Sequence, residues 1–254
     1  MRYIILLLLL ILPVQAQVME GGVSKNGAYN QVVDYQTNQP VSNAKVSLPK
    51  QHYTTYTDDN GVFDLNAKVN DSSIIFVEKD GYRPYSLTIN EKIAARPMVI
   101  GIEKSNIKDI TIETDMFHLG DDNYSEASAN SSEFKTTSKG PFFTKKFEMA
   151  FESKGKKNYL VIGSIIGIDT LMAKTMNQNR IVNSYASAPE VYFNGSKIAE
   201  IQLNGDNQKI KLPNNLILPG RQNEITIKSG RNMMQTAYTD YDDIELANLY
   251  VESE

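Results

Sequence analysis

The sequence predicts an all-β chain folded as two β-sandwich domains. Three observations carry this. Apolar residues recur at every second position in short runs, as in Ala44, Val46 and Leu48 or Phe147, Met149 and Phe151, the period that sends alternate side chains to opposite faces of a strand. Turn pairs punctuate these runs, among them Asn60-Gly61, Asp80-Gly81, Asn194-Gly195 and Asn204-Gly205, and short, evenly spaced strands are the pattern of a sandwich. Helical periodicity is weak, with 170–180 the single candidate segment.

The 254 residues leave room for two ordinary domains. Met1 to Ala16 reads as a signal peptide: Arg2 is a short positive region, Tyr3 to Leu12 an apolar run, and Val14-Gln15-Ala16 a cleavage site with small residues. The apolar run is too short to span a bilayer, so the membrane enters only through export. Cleavage near Ala16 gives a mature start at Gln17 and a chain that is secreted or held in the periplasm or cell envelope. Cysteine is absent, so each domain must rest on its packed core without disulfides. That fits a bacterial exterior. A net charge of -4 argues against a nucleic-acid partner, which demands a basic face, and leaves sugars, proteins and cations.

Along the chain, Val32-Val33 opens the first domain (17–104), and residues 34–40 form a polar turn cluster. Ala44 to Leu48 alternates as a half-buried strand, and Tyr53 to Thr57 is rich in Thr and Tyr. Asn60-Gly61 predicts a hairpin into Val62 to Leu65, because paired positive-φ residues suit a two-residue loop. Ile74 to Val77 is a continuous apolar strand, Tyr85, Leu87 and Ile89 alternate, and Met98 to Ile102 closes the domain. A connector (105–109) leads to the second domain (110–254), opened by Ile110 and Ile112. Residues 115–140 are polar but interspersed with Met116, Phe117, Leu119, Tyr124 and Phe134, too many large apolar groups for a disordered linker. Tyr159 to Ile168 is a buried-strand candidate. Asn194-Gly195 predicts a second hairpin, Asn204-Gly205 a continuing meander, and Ile244, Leu246, Leu249 and Val251 a last strand whose period slips after Leu246, the mark of a β-bulge.

Residues Asp34, Thr37, Pro40-Val41, Ala44-x-Val46, then Thr57-Asp58-Asp59-Asn60-Gly61-x-Phe63 and Lys79-Asp80-Gly81-Tyr82 resemble the carboxypeptidase regulatory-like domains. The resemblance covers about a third of the chain and implies an Ig- or transthyretin-like sandwich of non-catalytic, accessory character. The stretch Glu20 to Tyr29 departs from it as a looser, Gly-containing entry. From Ile110 onward, His118-Leu119-Gly120-Asp121-Asp122-Asn123, Pro219-Gly220-x-x-Asn223-x-Ile225-x-Ile227 and Tyr241-Asp242-Asp243-Ile244-Glu245-Leu246 are similar to the galactose-binding-like jelly rolls of carbohydrate-binding modules. That likeness implies a jelly-roll sandwich whose first and last strands are neighbours.

Such neighbours would bring two acidic clusters together. Asp121, Asp122, Asp243 and Glu245 are therefore the candidate ligands of a structural Ca²⁺, a hard cation that takes six to eight oxygens. Tyr185, Tyr192, Tyr238 and Tyr241 are candidate stacking platforms for a sugar ring. The two histidines, His52 and His118, stand far apart without cysteine partners, so neither a zinc site nor a triad assembles from them. Asp242 and Asp243, being sequential, would point to opposite faces of a strand, poor geometry for acid and base acting together. The sequence thus favours an exported, non-catalytic binding module for a carbohydrate or cell-surface polymer. The alternatives are a structural or assembly protein pairing with an envelope protein, or an accessory subunit of an exported peptidase.

Overall fold

The computed structural model describes residues 29–70, 72–106, 108–120, 137–179, 182–234 and 241–254; residues 1–16, expected to be a signal peptide, lie outside them. The chain is all-β, and among the described residues no helix is long and apolar enough to cross a membrane.

Strands β1 (Asn30–Asp34), β2 (Lys45–Leu48), β3 (Tyr53–Tyr56), β4 (Val62–Phe63), β5 (Ser73–Glu78), β6 (Tyr85–Ile89) and β7 (Val99–Ile102), with the short helix α1 (Glu91–Ala94), form the first sandwich. Its sheets run β4-β1-β7 and β3-β2-β5-β6, with β1 and β7 parallel. Val32, Ala44, Val46, Leu48, Phe63, Ile75, Val77, Ile89 and Ile102 fill the space between them. The residues that carried the first resemblance organise the turns. The Asp34 carboxylate accepts from the Thr37 N–H and hydroxyl, both at 2.9 Å, from the Gln36 N–H, and from the Tyr82 hydroxyl at 3.1 Å. The Thr37 N–H leads the groups that hold its carboxyl below the usual range. Thr57 takes the Ala44 N–H and donates to the Val41 carbonyl, so a buried hydroxyl closes the ladder where the strand bends away.

One turn departs from expectation. Asn60-Gly61 joins no hairpin: β3 pairs with β2, and β4 pairs with β1 in the opposite sheet. Only Gly61 has positive φ, and the Asp58 carboxylate gathers the Asn60 and Val62 N–H groups. The turn carries the chain between sheets instead of folding it back, and the backbone around Gly61 is too close for any side chain: a Cβ there would stand 2.5 Å from the Val32 carbonyl.

The second sandwich contains β8 (Ile110–Glu113), β9 (Phe117–Leu119), β10 (Phe142–Met149), β11 (Asn158–Ile166), helix α2 (Leu171–Thr175), β12 (Tyr185–Ala186), β13 (Glu190–Phe193), β14 (Ser196–Glu200), β15 (Gly205–Leu212), β16 (Arg221–Lys228), β17 (Asn232–Met234) and β18 (Ile244–Ser253). One sheet runs β10-β16-β13-β14. The other runs β15-β11-β18-β8, with β9 also on β18, and β12 pairs β17 at one end. The core between the sheets holds Phe117, Phe143, Phe147, Phe193, Leu160, Ile162, Ile225 and Leu246. The Asn194-Gly195 hairpin forms as expected, with both residues at positive φ. The meander after Asn204-Gly205 does not, because β15 crosses to the far sheet beside β11. The Asn204 side chain instead takes the Ile168 N–H and donates to its carbonyl. Phe151, expected on the alternating strand, falls beyond the end of β10 and is 74% exposed, its ring lying against Gly220.

The period slip in the last strand is real and has a partner. Asn248 sits at φ 53 opposite Gly163 in the pairing of β11 with β18. In β11 the inward residues pass from Leu160 and Ile162 to Ile165; in β18 they pass from Val251 and Leu249 to Leu246. Both strands slip by one residue at the same rung, so partners stay matched across the irregularity.

The outer faces of β11 and β18 are buried too, because the first sandwich lies on them. Ile74 and Phe76 of β5 pack on Ile166 and Ala247. Asp206 accepts from the Thr88 N–H, the Thr88 hydroxyl at 2.8 Å and the Ser164 hydroxyl at 2.6 Å, and Ser164 Oγ lies 2.9 Å from Ser86 Oγ. Arg83 grips Asp109 by two bonds, at 2.6 and 3.2 Å, and reaches Glu103 and Glu252. The four main sheets therefore stack, and the two inner ones meet across a mixed apolar and polar seam.

Candidate functional site

With β11 and β18 covered, the outer side of β10-β16-β13-β14 is the broad sheet face that the described residues of the second sandwich leave open. Alternation builds it, interrupted in β10 by exposed Lys145. Along β10, Phe143, Phe147 and Met149 are buried while Phe142, Thr144, Lys146 and Glu148 are exposed. Along β16, Asn223, Ile225 and Ile227 are buried, and Gln222, Glu224, Thr226 and Lys228 face out. The pairing aligns the outward residues in rows: Phe142, Lys228, Glu190 and Glu200 in one, Thr144, Thr226, Tyr192 and Lys197 in the next.

Tyr192 lies near the middle of this face, half-buried, its hydroxyl 2.7 Å from Glu190 Oε2. Lys197 binds Glu190 at 2.6 Å and Glu200 at 2.7 Å, and these two hydrogen bonds raise the Lys197 ammonium above its usual range while Glu190 is held below its own, chiefly by Lys197. At the edge, Phe142 is 54% exposed, with Lys228 Nζ 5.8 Å from its ring centroid. The Thr144 and Thr226 hydroxyls are 3.0 Å apart. The face thus offers two aromatic rings among hydroxyls, carboxylates and ammonium groups, the chemistry that stacks on and hydrogen-bonds to a sugar. Phe142 and the row order were not singled out from sequence; the signal was Phe142 alternating out of phase with Phe143, Phe147 and Met149.

The other predicted tyrosines lie elsewhere. Tyr185 pairs with Met234 at one end of the sandwich, half-buried. Tyr241 is 1% exposed and presents no ring face to solvent, and its N–H donates to Asn232. Tyr238 lies outside the described residues.

Of the four proposed cation ligands, Asp121 and Asp122 also lie outside the described residues. The structure does bring the two acidic segments together, since β9 pairs with β18 and Gly120 packs against Asp243 so closely that a Cβ would stand 1.8 Å from its Oδ1. Asp243 is 3.1 Å from His118 Nε2. Glu245 pairs with His118 across the ladder; burial pushes its carboxyl up to about 7, opposed by the charges of His118 and Lys50. The described half of the set thus already faces His118 and Lys50, and no group of three or more His, Asp or Glu side chains among the described residues is arranged to hold a metal ion. Asp242 Cβ lies beside Gly230 while the Asp243 carboxylate lies against Gly120, so the two sequential residues meet different neighbours.

Clefts of about 290, about 390 and about 400 Å³ open along the seam between the sandwiches, the first lined by Thr88, Ile166 and Asn204, the second by Arg83, Asp109 and Tyr250 and the third by Tyr53, Phe76 and Met116. None of these is lined by Tyr192.

No protein-family model matches the chain, and no curated protein matches it significantly. Solved structures similar to it include the carbohydrate-binding module CBM36 in complex with calcium and xylotriose (11% identity, 58% of this chain, 100% of that one, TM-score 0.26). A Bacteroides uniformis protein described as carbohydrate-binding aligns over 89% of this chain and 97% of its own at 10% identity and TM-score 0.22. A Clostridium perfringens ZmpB structure, CBM51-2 with GlcNAc and INT domains, aligns over 79% and 44% at 13% identity and TM-score 0.21. Superposition at this level carries neither a family nor a ligand over to this chain.

Proposed function

We propose that the chain is an exported, non-catalytic binding module that holds a carbohydrate or cell-surface polymer against the outer face of β10-β16-β13-β14, with Tyr192 as the central platform and Phe142 at its edge. The single observation that carries this is the asymmetry of the second sandwich. In one sheet the central strands β11 and β18 are buried on both sides by the core and the first sandwich, while the other sheet presents aromatic rings beside paired polar groups. A flat arrangement of this kind suits an extended chain of sugars better than a single residue in a pocket. The first sandwich then acts as spacer and support.

The test is a glycan array probed with residues 17–254, including xylose and GlcNAc oligomers, with and without Ca²⁺. Selective binding that disappears in Tyr192→Ala, in a protein whose melting is unchanged, is the expected result. Binding that instead depends on Tyr185 moves the site to the end of the sandwich where Tyr185 pairs with Met234. A Ca²⁺ requirement that is lost in Asp121→Asn or Asp122→Asn supports the ion; indifference to chelation removes it. Silence of a folded sample overturns the carbohydrate reading and favours an envelope structural unit, in which the Glu190, Lys197 and Glu200 contacts merely solubilise a sheet face.

A further inference from the structure

A group of exposed apolar side chains lies away from the sheet face. Leu171, Met172, Met176, Val182, Met233 and Met234 are 57, 48, 63, 71, 62 and 44% exposed, and three segments bring them together at one end of the second sandwich. Helix α2 starts at Thr170, which bridges Ala186; the Tyr185–Ala186 strand pairs with β17, setting Tyr185 opposite Met234; and Lys174 Nζ donates to the Ser184 carbonyl. Scattered exposed apolar side chains are ordinary, but a contiguous group marks an interaction surface.

Its chemistry narrows the occupant. Among the described residues at this end, Lys174 and Arg231 are basic, while the neighbouring Asp169 and Asp242 are buried, 2 and 1% exposed, in a chain whose net charge is -4. Arg231 is exposed beside β17. An apolar surface with a basic border complements an apolar segment with an acidic one. Four of the six side chains are methionines, unbranched and polarizable, which adapt to irregular apolar partners. The tryptophan that anchors proteins at lipid headgroups is absent from the chain. We propose that this end of the sandwich is a docking surface for an apolar, acid-rimmed segment of a partner protein, separate from the Tyr192 face.

The experiment uses residues 17–254 labelled with ¹³C at the methionine methyls and titrated with two synthetic amphipathic peptides that share a leucine face. One is rimmed with glutamate, the other with lysine. The glutamate peptide should shift the Met172, Met176, Met233 and Met234 signals and leave the buried Met98 and Met149 (1 and 0% exposed) in place. Its binding should weaken as salt rises. The lysine peptide should bind at least about tenfold more weakly, as should the glutamate peptide with the double variant Met233→Ser, Met234→Ser, both sites being exposed enough to spare the fold. Equal binding of both peptides, or undiminished binding to the double variant, overturns the proposal. So do shifts produced only by phosphatidylglycerol vesicles, which would make this a lipid surface, or by raising protein concentration alone, which would make it a contact between copies. No shift with any probe leaves it a bare surface and refutes docking. Tyr192→Ala, which tests the sugar site, should leave this titration unchanged, so the two readings fail separately.

Discussion

Asp169 should make the protein lose stability as pH rises from acid toward neutral. It follows β11, is 2% exposed, and neither carboxylate oxygen has a hydrogen-bond partner among the described residues. Burial alone pushes its carboxyl up to about 8. In the unfolded chain an aspartate titrates near 3.9. The folded state therefore holds the proton more tightly, and its advantage is complete below the unfolded value and drains away as pH climbs through the folded one. At about 1.36 kcal/mol per unit, raising the pH from 4 to 7 should cost roughly 4 kcal/mol from this residue, a large part of a domain's usual margin. Asp169→Asn removes the titration while keeping the shape. Urea unfolding at pH 4, 5.5, 7 and 8 should show the variant within about 1 kcal/mol of the parent at pH 4, where both side chains are neutral and unpaired, and about 3 kcal/mol more stable at pH 7. Parallel stability curves for the two proteins across this range would refute the reasoning, since they would mean Asp169 ionises in the folded state as easily as in the unfolded one.

The seam yields further tests. Gly163→Ala places a methyl 2.6 Å from Ser86 Oγ and 2.7 Å from Asn248 Cβ, so it should destabilise by about 1–3 kcal/mol in thermal or urea melts, and Ser86→Ala should recover part of the loss. Arg83→Ala leaves Asp109 and Glu252, each with a side chain 9% exposed, without their guanidinium; a loss of about 3 kcal/mol is expected, and Arg83→Lys should fail to restore it because the two-pronged grip on Asp109 needs the planar fork. Asp34→Asn should show the opposite pH dependence to Asp169. Its carboxyl is held low by Thr37 and its neighbours, so its contribution is present above the unfolded value and fades as pH falls through the folded one; parent and variant melts should converge in acid.

The fold was legible wherever local chemistry and tertiary position agreed. The alternation in β2, β10 and β16, the Asn194-Gly195 hairpin and the slip after Leu246 were all readable, because the sandwich core selects one face of each strand. The Asn60-Gly61 and Asn204-Gly205 turns were misread for one reason. A turn dipeptide reports local dihedrals, and the choice between folding back within a sheet and crossing to the other is made by what the next strand packs on. Phe151 shows the same limit, its periodicity running one step past the point where β10 ends.

The candidate site was less legible, and the reason lies in the other sheet. A strand packed on both sides reads as a nearly continuous apolar run, and Leu160 to Ile166 is such a run, yet the face it turns to the first sandwich also carries Ser164 opposite Ala247. Seen as sequence, Ser164 interrupts a buried strand; seen in the fold, it meets Asp206 and Ser86 across the seam. The polar residues that looked like breaks in the core are the fittings that join two sandwiches. Once they cover β11 and β18, the broad sheet face that the described residues leave open on the second sandwich is the one around Tyr192, so the location of the proposed sugar site follows from the seam as much as from the tyrosine.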